Sequence, residues 1–201
     1  MKPILFLLAM ATIALSCTQE SDDVAEPGPQ QPDGALPASI LAGQTSGGGI
    51  AHVDFNPDIS FLAGPNHLVD STLLDMNADG EGDFMVTYRI SDPYMLGASF
   101  VHFDIEPLDS NQVCITPGDT ALVDALAFGD VINSSLTWTN SSSILYRYAW
   151  SMSGSSSAIG YFVNDSSHYV GLRVYADGNA YYSWLLVHDF ALDGYAITTG
   201  S

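Results

Sequence analysis

The sequence predicts an all-β domain, an antiparallel β-sandwich of the jelly-roll type, on three observations. Short runs rich in β-branched and aromatic residues recur from residue 50 onward and are separated by Gly, Pro, Asn and Asp. Asp177-Gly178 joins two alternating runs, residues 169–175 and 180–187, which is a strong hairpin signal. No amphipathic segment of helical length stands out. Short strands at this spacing are typical of sandwiches and jelly rolls.

The expected strands follow the alternation of apolar and polar residues. In the first strand Ala51, Val53 and Phe55 share one face, and Asn-Pro-Asp at residues 56–58 should turn the chain. Residues 121–126 fit either a strand or a helical turn. The strands that we expect are residues 50–55, 59–62, the two arms of a hairpin over about residues 69–90, and then residues 98–105, 112–115, 131–132, 136–138, 144–150, 169–175, 180–187 and 189–192.

An acidic loop, residues 75–83, interrupts the hairpin expected over residues 69–90. It places side-chain oxygens at loop positions 1, 3, 5 and 9 and Gly80 at position 6, as the first part of the calcium-loop pattern does. Four carboxylates within nine positions repel one another unless a cation offsets their charge. We therefore predict a Ca²⁺ site formed by the side chains of Asp75, Asn77, Asp79 and Asp83 and by the backbone carbonyl of Glu81.

The acidic loop departs from an EF-hand in two respects. Val86 stands at position 12, where an EF-hand carries a bidentate Glu, and the flanking residues 71–74 and 84–88 are not helical in period. We expect a strand–loop–strand site with a structural role, because no nucleophile or general acid stands nearby. The alternative is a tight hairpin loop without an ion, since Asp, Asn and Gly also suit turns.

Residues 1–16 have the features of a bacterial signal peptide. Lys2 supplies an early positive charge, and the apolar run over residues 4–15 is too short to span a membrane comfortably. The run ends in Ala14-Leu15-Ser16-Cys17, which resembles a lipobox, although Ala14 stands where Leu is usual. The resemblance implies cleavage before Cys17 and a lipid on its sulfur. The alternative is ordinary secretion with cleavage nearby.

Residues 17–49 are expected to form a flexible tether in front of the domain at residues 50–201. They contain four prolines and three consecutive glycines but few large apolar residues, so they cannot offset the entropy cost of ordering. The acidic cluster at residues 20–23 resembles the surface-export signals of Bacteroidota lipoproteins. We therefore expect an outer-membrane lipoprotein at the cell surface, with the periplasmic face as the alternative.

The charge of the chain excludes nucleic acid as a partner. Once Lys2 leaves with the signal peptide, three arginines face 23 acidic residues, and 3 − 23 gives −20. Phosphate backbones require clustered cations. An anionic membrane surface would also repel such a domain, so the lipid must supply the attachment to the membrane. Cys114 would be the remaining thiol, and we expect it to be a small buried hydrophobe and not a nucleophile.

Blocks of sequence spread over most of residues 50–201 resemble those of uncharacterised secreted β proteins of Bacteroidota and other bacteria. Those proteins commonly show Tyr-Gly-Trp where this chain has Tyr182-Ser183-Trp184. The resemblance implies an all-β domain with the calcium-type loop, and it implies no known activity. The matching blocks are residues 54–58, 74–80 with 83–84, 129–132, 169–173 with 182–184, and 188–191.

These observations favour a non-catalytic lipoprotein that binds an extracellular glycan or protein, or that serves the structure of the envelope. The competing class is an extracellular glycan-active hydrolase or a carbohydrate-binding module. A hydrolase would show two carboxylates at working distance in a concave pocket. Aromatic residues on alternating strands more often belong to a core than to a sugar-stacking platform. The candidates for such a platform are Trp138, Trp150, Trp184, Tyr181 and Tyr182.

Overall fold

The computed structural model describes residues 38–61, 69–91, 98–151, 154–162 and 167–199. These residues form an antiparallel β-sandwich without a helix, which confirms the predicted all-β fold class. A helix long and apolar enough to cross a membrane is accordingly not found in the described part of the chain. The expected signal peptide, Cys17 and the expected tether up to residue 37 lie outside the described residues.

The strands of the described residues vary from two to eleven residues in length. They are β1 (Ser39–Leu41), β2 (Ile50–Ser60), β3 (Val69–Leu74), β4 (Phe84–Ile90), β5 (Ala98–Pro107), β6 (Gln112–Cys114), β7 (Val131–Asn133), β8 (Trp138–Thr139), β9 (Ser143–Ser151), β10 (Ser156–Gly160), β11 (His168–Ala176), β12 (Asn179–His188) and β13 (Ala191–Thr198).

The strands form two large sheets and one small one. The five-stranded sheet has the order β10-β9-β5-β4-β3, the six-stranded sheet has the order β2-β13-β12-β11-β6-β8, and β1 pairs with β7. All of these strand pairings are antiparallel. Phe84 and Phe103 of the five-stranded sheet belong to one buried cluster with Leu172, Leu185 and Leu192 of the six-stranded sheet, so the main core lies between the two sheets.

The hairpin between β11 and β12 forms as the sequence predicts. Asp177 and Gly178 make its two-residue turn, and both have positive φ angles, +51° and +77°. Positive φ at both central residues defines the type I′ turn, whose twist matches that of the flanking strands. The register extends from His168 opposite Val187 to the turn, so this hairpin forms the centre of the six-stranded sheet.

A second buried cluster lies on the opposite side of β12 from the main core. Successive side chains of a strand point to opposite faces, so Leu185 joins the main core whereas Trp184 joins this second cluster. Ile40 of β1 and Ile132 of β7 cover it and are themselves almost completely buried. Both faces of β12 are therefore covered, which explains why four consecutive residues in its middle, residues 182–185, are all buried.

The N-terminal boundary expected at residue 50 is too late. Ile40 is 1% exposed and lies in β1. The backbone carbonyl of Gln44 accepts a hydrogen bond from Trp184 Nε1 at 2.9 Å, and the carbonyl of Gly49 accepts one from the N–H of Thr199 at 2.7 Å. Residues 39–49 thus belong to the folded domain and not to a tether.

Two further expectations about strands are corrected. Residues 56–58 do not end the first strand, because β2 continues to Ser60 through an irregularity opposite Gly194. A Cβ atom at Gly194 would lie only 2.6 Å from the carbonyl oxygen of Val53, so the close approach of the two backbones requires glycine there. The last strand begins at Ala191 and not at Asp189, since Asp189 and Phe190 form the turn that precedes it.

The role of β1 can be tested by a pair of neighbouring substitutions. Ile40→Ala should lower the free energy of unfolding by about 3 kcal/mol, because it leaves a cavity in the second cluster. Leu41→Ala is the matched control: Leu41 is 42% exposed, so the change should stay within about 0.5 kcal/mol. Urea unfolding of the full chain measures both values, and equal small effects would show that β1 is not part of the folded domain.

Candidate functional site

The acidic loop joins β3 to β4 at one end of the five-stranded sheet, as predicted for a strand–loop–strand unit. Leu74 pairs with Phe84 at the base of the loop, and the N–H of Asp83 donates to the carbonyl of Leu74 at 2.7 Å. Met76 is buried in the main core. Backbone pairing and one apolar side chain therefore fix the base of the loop, while residues 78–81 are exposed.

Side-chain oxygens organise the exposed part of the acidic loop. Asp75 accepts the N–H of Asp79 at its Oδ1 (3.2 Å) and the N–H of Gly80 at its Oδ2 (2.9 Å). Asn77 Oδ1 accepts the N–H of Asp79 at 3.1 Å, and Asn77 Nδ2 donates to Asp79 Oδ2 at 2.8 Å. Asp79 Oδ1 accepts the N–H of Glu81 at 2.8 Å. Gly80 has a φ of +91°, the conformation that the glycine at position 6 was expected to provide.

Asp83 differs from the other acidic residues of the loop because its side chain turns inward. The residue is 6% exposed. Its Oδ2 accepts the N–H of Met76 at 2.7 Å, and its Oδ1 accepts Nδ2 of Asn111 at 2.9 Å. Burial raises the pKa of the Asp83 carboxyl, and the hydrogen bonds from Met76 and Asn111 oppose that increase. Asp83 therefore ties the end of the loop to the segment that follows β5.

Asn111 extends this contact to the second large sheet. Its Nδ2 also donates to the backbone carbonyl of Asp83 at 3.2 Å, and its Oδ1 accepts the N–H of Tyr175 in β11 at 2.8 Å. The hydroxyl of Tyr195 in β13 makes a second link, since it donates to the backbone carbonyl of Asp75 at 3.3 Å. Both β11 and β13 belong to the six-stranded sheet, so the two large sheets hold the acidic loop together.

The structure places the predicted calcium ligands in two positions. Asp75, Asn77, Asp79 and Glu81 lie in the outer part of the loop, and Asp83 lies beneath it. Within the described ranges, no three His, Cys, Asp or Glu side chains are gathered as a metal site requires. The chemical types of the oxygens in the outer part of the loop fit Ca²⁺, which prefers carboxylate, amide and carbonyl oxygens. An oxygen that accepts one hydrogen bond also keeps a second lone pair.

A cavity of about 630 Å³ opens beside the acidic loop. Loop residues 76–79 form one wall, and β2, β13 and the hairpin of β11 and β12 supply the rest. Neither Lys, Arg nor His occurs among the described residues that line it. The aromatic and charged members of the lining are Asp79, Tyr175, Asp177, Tyr181 and Tyr195. The cavity therefore combines apolar strand residues and tyrosines with two carboxylates.

The sugar-stacking platform considered from the sequence does not form as one surface. Trp184 is buried beneath the small sheet. The guanidinium of Arg173 lies 4.4 Å from the ring centroid of Trp138 and 5.3 Å from that of Tyr182, so it covers both rings. Trp150 is exposed on β9 in the other large sheet. Tyr181, the fifth candidate, lines the cavity beside the acidic loop.

Two other perturbed ionisable groups, Cys114 and His102, fit structural roles. Burial raises the pKa of the Cys114 thiol to about 12, so this residue is not a nucleophile near neutral pH. On the five-stranded sheet, burial and then the charge of Arg147 lower the pKa of His102. His102 Nδ1 accepts a hydrogen bond from Arg147 Nε at 3.1 Å. A neutral His102 that orients Arg147 accounts for this contact.

Comparisons of the chain with known protein families, with curated proteins and with solved structures find no match. The resemblance to secreted Bacteroidota proteins consequently stays a prediction.

Sequence reasoning missed the residues that connect the acidic loop to the rest of the domain. Asn111 lies 28 residues from Asp83 and 64 residues from Tyr175 in the chain, and no local pattern links residues at such separations. Tyr195 was likewise not singled out, because the last strand was expected to end before it. An Asn in a short segment between two strands is the one available signal, and it is also typical of an ordinary turn.

The link through Asn111 predicts a pH-dependent variant. Asn111→Asp replaces a donor by a second carboxylate beside Asp83 and should lower the free energy of unfolding by on the order of 3 kcal/mol at neutral pH. The pair raises the folded-state pKa above the ordinary Asp value, so the folded state binds more protons than the unfolded state. The loss of stability should therefore shrink as the pH falls through that raised pKa.

Denaturant unfolding in chelator over a pH series measures this effect. Asn140→Asp is the matched control, because Asn140 is exposed and should give a small and nearly pH-independent change. If Asn111→Asp and Asn140→Asp behave alike, the contact between Asn111 and Asp83 does not hold the domain together.

Proposed function

We propose that the chain is a lipoprotein, anchored through a lipid on Cys17 in the outer membrane and displayed at the cell surface. Its β-sandwich is stabilised by Ca²⁺ in the acidic loop and serves a non-catalytic role, in binding an extracellular glycan or protein or in the structure of the envelope. We also propose that the chain is related to secreted β proteins of Bacteroidota. Nucleic acid is not a partner, because a chain with 4 cationic and 23 acidic side chains repels phosphate.

One observation supports the calcium part of the proposal: the side-chain oxygens of Asp75, Asn77 and Asp79 are gathered in the exposed part of the acidic loop, while hydrogen bonds from both large sheets hold its base. Asp75, Asn77 and Asp79 are already arranged by short hydrogen bonds within the loop. A cation there would offset the mutual repulsion of the loop carboxylates. It would also stabilise the buried Asp83 carboxylate, because a nearby positive charge lowers a carboxyl pKa. We assign Asp75, Asn77, Asp79 and Glu81 to the ion, and Asp83 to support beneath it.

The non-catalytic role rests on what the candidate groups already do. The Cys114 thiol is buried and protonated at neutral pH. Of the two carboxylates beside the cavity, Asp79 has both oxygens engaged in hydrogen bonds with its own loop. A glycosidase needs one carboxyl group as acid and a second as nucleophile or base, both free to reach the substrate. Between the two alternative functions, the tyrosine-lined cavity favours a carbohydrate-binding module over a hydrolase.

Calcium should stabilise the domain measurably. At a Ca²⁺ concentration about 100 times Kd the gain is about 2.7 kcal/mol, which raises Tm by roughly 5–10 °C for a domain of this size. Asp75→Asn and Asp79→Asn remove ligand charge and should abolish most of this gain. Their Tm values in chelator will also differ somewhat from the parent because loop hydrogen bonds change, so the quantity to compare is the calcium-dependent increment.

Asp119→Asn is the matched control for the loop variants. Asp119 Oδ1 likewise accepts a backbone N–H, that of Ala121 at 3.0 Å, in a turn away from the acidic loop. This variant should keep the full increment. A parent protein whose Tm is the same in calcium and in chelator, together with no heat on calorimetric titration, would mean that the acidic loop is only a turn.

Lipidation can be tested by replacing the sulfur atom that would carry the lipid. Cys17→Ser should move the protein from the membrane fraction to the soluble fraction, because the acidic domain has no other attachment to an anionic surface. Cys114→Ser is the control, since Cys114 is buried in the domain and should leave membrane attachment unchanged. Metabolic labelling with a radioactive fatty acid should mark the parent and the Cys114 variant only. Label that persists in Cys17→Ser would contradict the anchor.

A further inference from the structure

We propose that the cavity beside the acidic loop is a binding site for an uncharged sugar, a short neutral oligosaccharide. The inference rests on the proposed function, because one wall of the cavity is the acidic loop that calcium would order. It goes further in naming the place, the residues and the chemical class of the ligand.

The cavity exposes apolar surface that a sandwich would normally cover. Val53 pairs with Tyr195, which belongs to the main core, so the two side chains lie on the inner face of the six-stranded sheet. Val53 is nevertheless 39% exposed, and Ala51, two residues earlier on the same face, is exposed as well. The volume of about 630 Å³ falls within the range of about 300–1,000 Å³ that small-molecule sites occupy. The cavity is therefore of a size and polarity suited to a ligand.

The charge of the lining disfavours anionic ligands. Asp177 keeps its charge when calcium occupies the acidic loop, and no cationic side chain is found among the described lining residues of the cavity. An anion would have to leave water for a site where Asp177 repels it. Neutral or cationic ligands are therefore favoured over sulfated sugars, uronic acids and phosphate compounds.

The placement of the tyrosines favours a sugar over an organic cation. An ammonium cage gathers several rings within about 6 Å of one point. Of the three tyrosines at the cavity, Tyr195 is 7% exposed and contacts Phe55 at a centroid distance of 5.8 Å. The hydroxyl of Tyr175 lies 3.3 Å from Arg173 Nη1 and 3.4 Å from Gln112 Oε1. The half-buried Tyr181 is therefore the ring available to a ligand. One ring beside apolar strand residues suits the C–H face of a pyranose and does not make a cage of several rings around a cation.

Polar groups at the edge of the cavity supply hydrogen-bond acceptors for hydroxyl groups. Asp177 is exposed in the turn of the β11–β12 hairpin, and a carboxylate is a strong acceptor of a hydroxyl hydrogen bond. Thr199, which follows β13, adds a further polar residue to the lining. Apolar strand residues with polar groups at the edge match the C–H faces and hydroxyls of neutral sugars.

The test is calorimetric titration of the full chain, in calcium, with short neutral oligosaccharides of glucose, mannose, galactose and xylose. The parent should bind at least one of them. Tyr181→Ala removes a stacking surface, and Ala51→Trp fills the open space over the floor. Each should weaken binding roughly tenfold, which corresponds to about 1.4 kcal/mol. Tyr161→Ala is the matched control, because Tyr161 is exposed and does not line the cavity, and it should bind as the parent does.

Asp177→Asn provides a variant that does not disturb the core, since Asp177 is exposed, and it too should weaken sugar binding. Calcium uptake is recorded in the same preparations. Uptake of calcium without binding of any neutral sugar would overturn the sugar site and leave the proposed function standing. Absence of calcium uptake would overturn the proposed function instead. Sugar binding that all three cavity variants retain, or binding of choline or chitosan oligomers in place of neutral sugars, would also overturn the inference.

Discussion

The hydrogen bonds of Asn111 are the constraint on which the arrangement around the acidic loop depends. A single buried amide donates to Asp83, which directly precedes β4 of the five-stranded sheet, and accepts from Tyr175 in β11 of the six-stranded sheet. Burial alone makes the Asp83 carboxylate unfavourable, which its raised pKa expresses. The Nδ2 group of Asn111 and the N–H of Met76 compensate for the water that the carboxylate has lost. Loss of the amide would leave a buried acceptor and a buried donor without partners at the same place.

This contact also links the acidic loop to the hairpin beside the cavity. The N–H of Tyr175 donates to Asn111 Oδ1, and Tyr175 is one of the residues at the cavity. An ion held by the outer oxygens of the loop would act on Asp83 through charge, and Asp83 acts on Asn111 through a 2.9 Å hydrogen bond. Under the two proposals, the junction of the sheets would connect an ion in the acidic loop to a sugar in the cavity, so calcium would order the cavity without contacting the sugar.

Sequence patterns were sufficient to predict those elements that depend only on residues close to one another in the chain. Asp177-Gly178 specifies its own turn, and the alternation on either side specifies the strands of the hairpin. The strand–loop–strand form of residues 69–90 follows in the same way from the β-branched flanks. Such features depend on residues within a few positions of one another, and the sequence displays them directly.

Features that depend on distant partners could not be predicted. β1 has three residues, pairs with β7, and places Ile40 in the same buried cluster as Trp184. These partners lie far along the chain, so the short apolar run of β1 resembled part of a tether. β2 continues past Asn56-Pro57 because Gly194 of β13 allows the two backbones to approach there. The inward turn of Asp83 is of the same kind: its partner Asn111 lies 28 residues away, so the spacing of loop oxygens could not show that this carboxylate is buried.

The central claim is that calcium in the acidic loop stabilises the junction of the two large sheets through Asp83 and Asn111. Hydrogen exchange of the Tyr175 amide, followed by NMR in calcium and in chelator, tests it most directly, because that amide donates to Asn111 and lies outside the loop. The account predicts slower exchange of this amide in calcium, with little change at the Ser156 amide in β10 at the edge of the other sheet. Equal exchange of the Tyr175 amide under both conditions would contradict it.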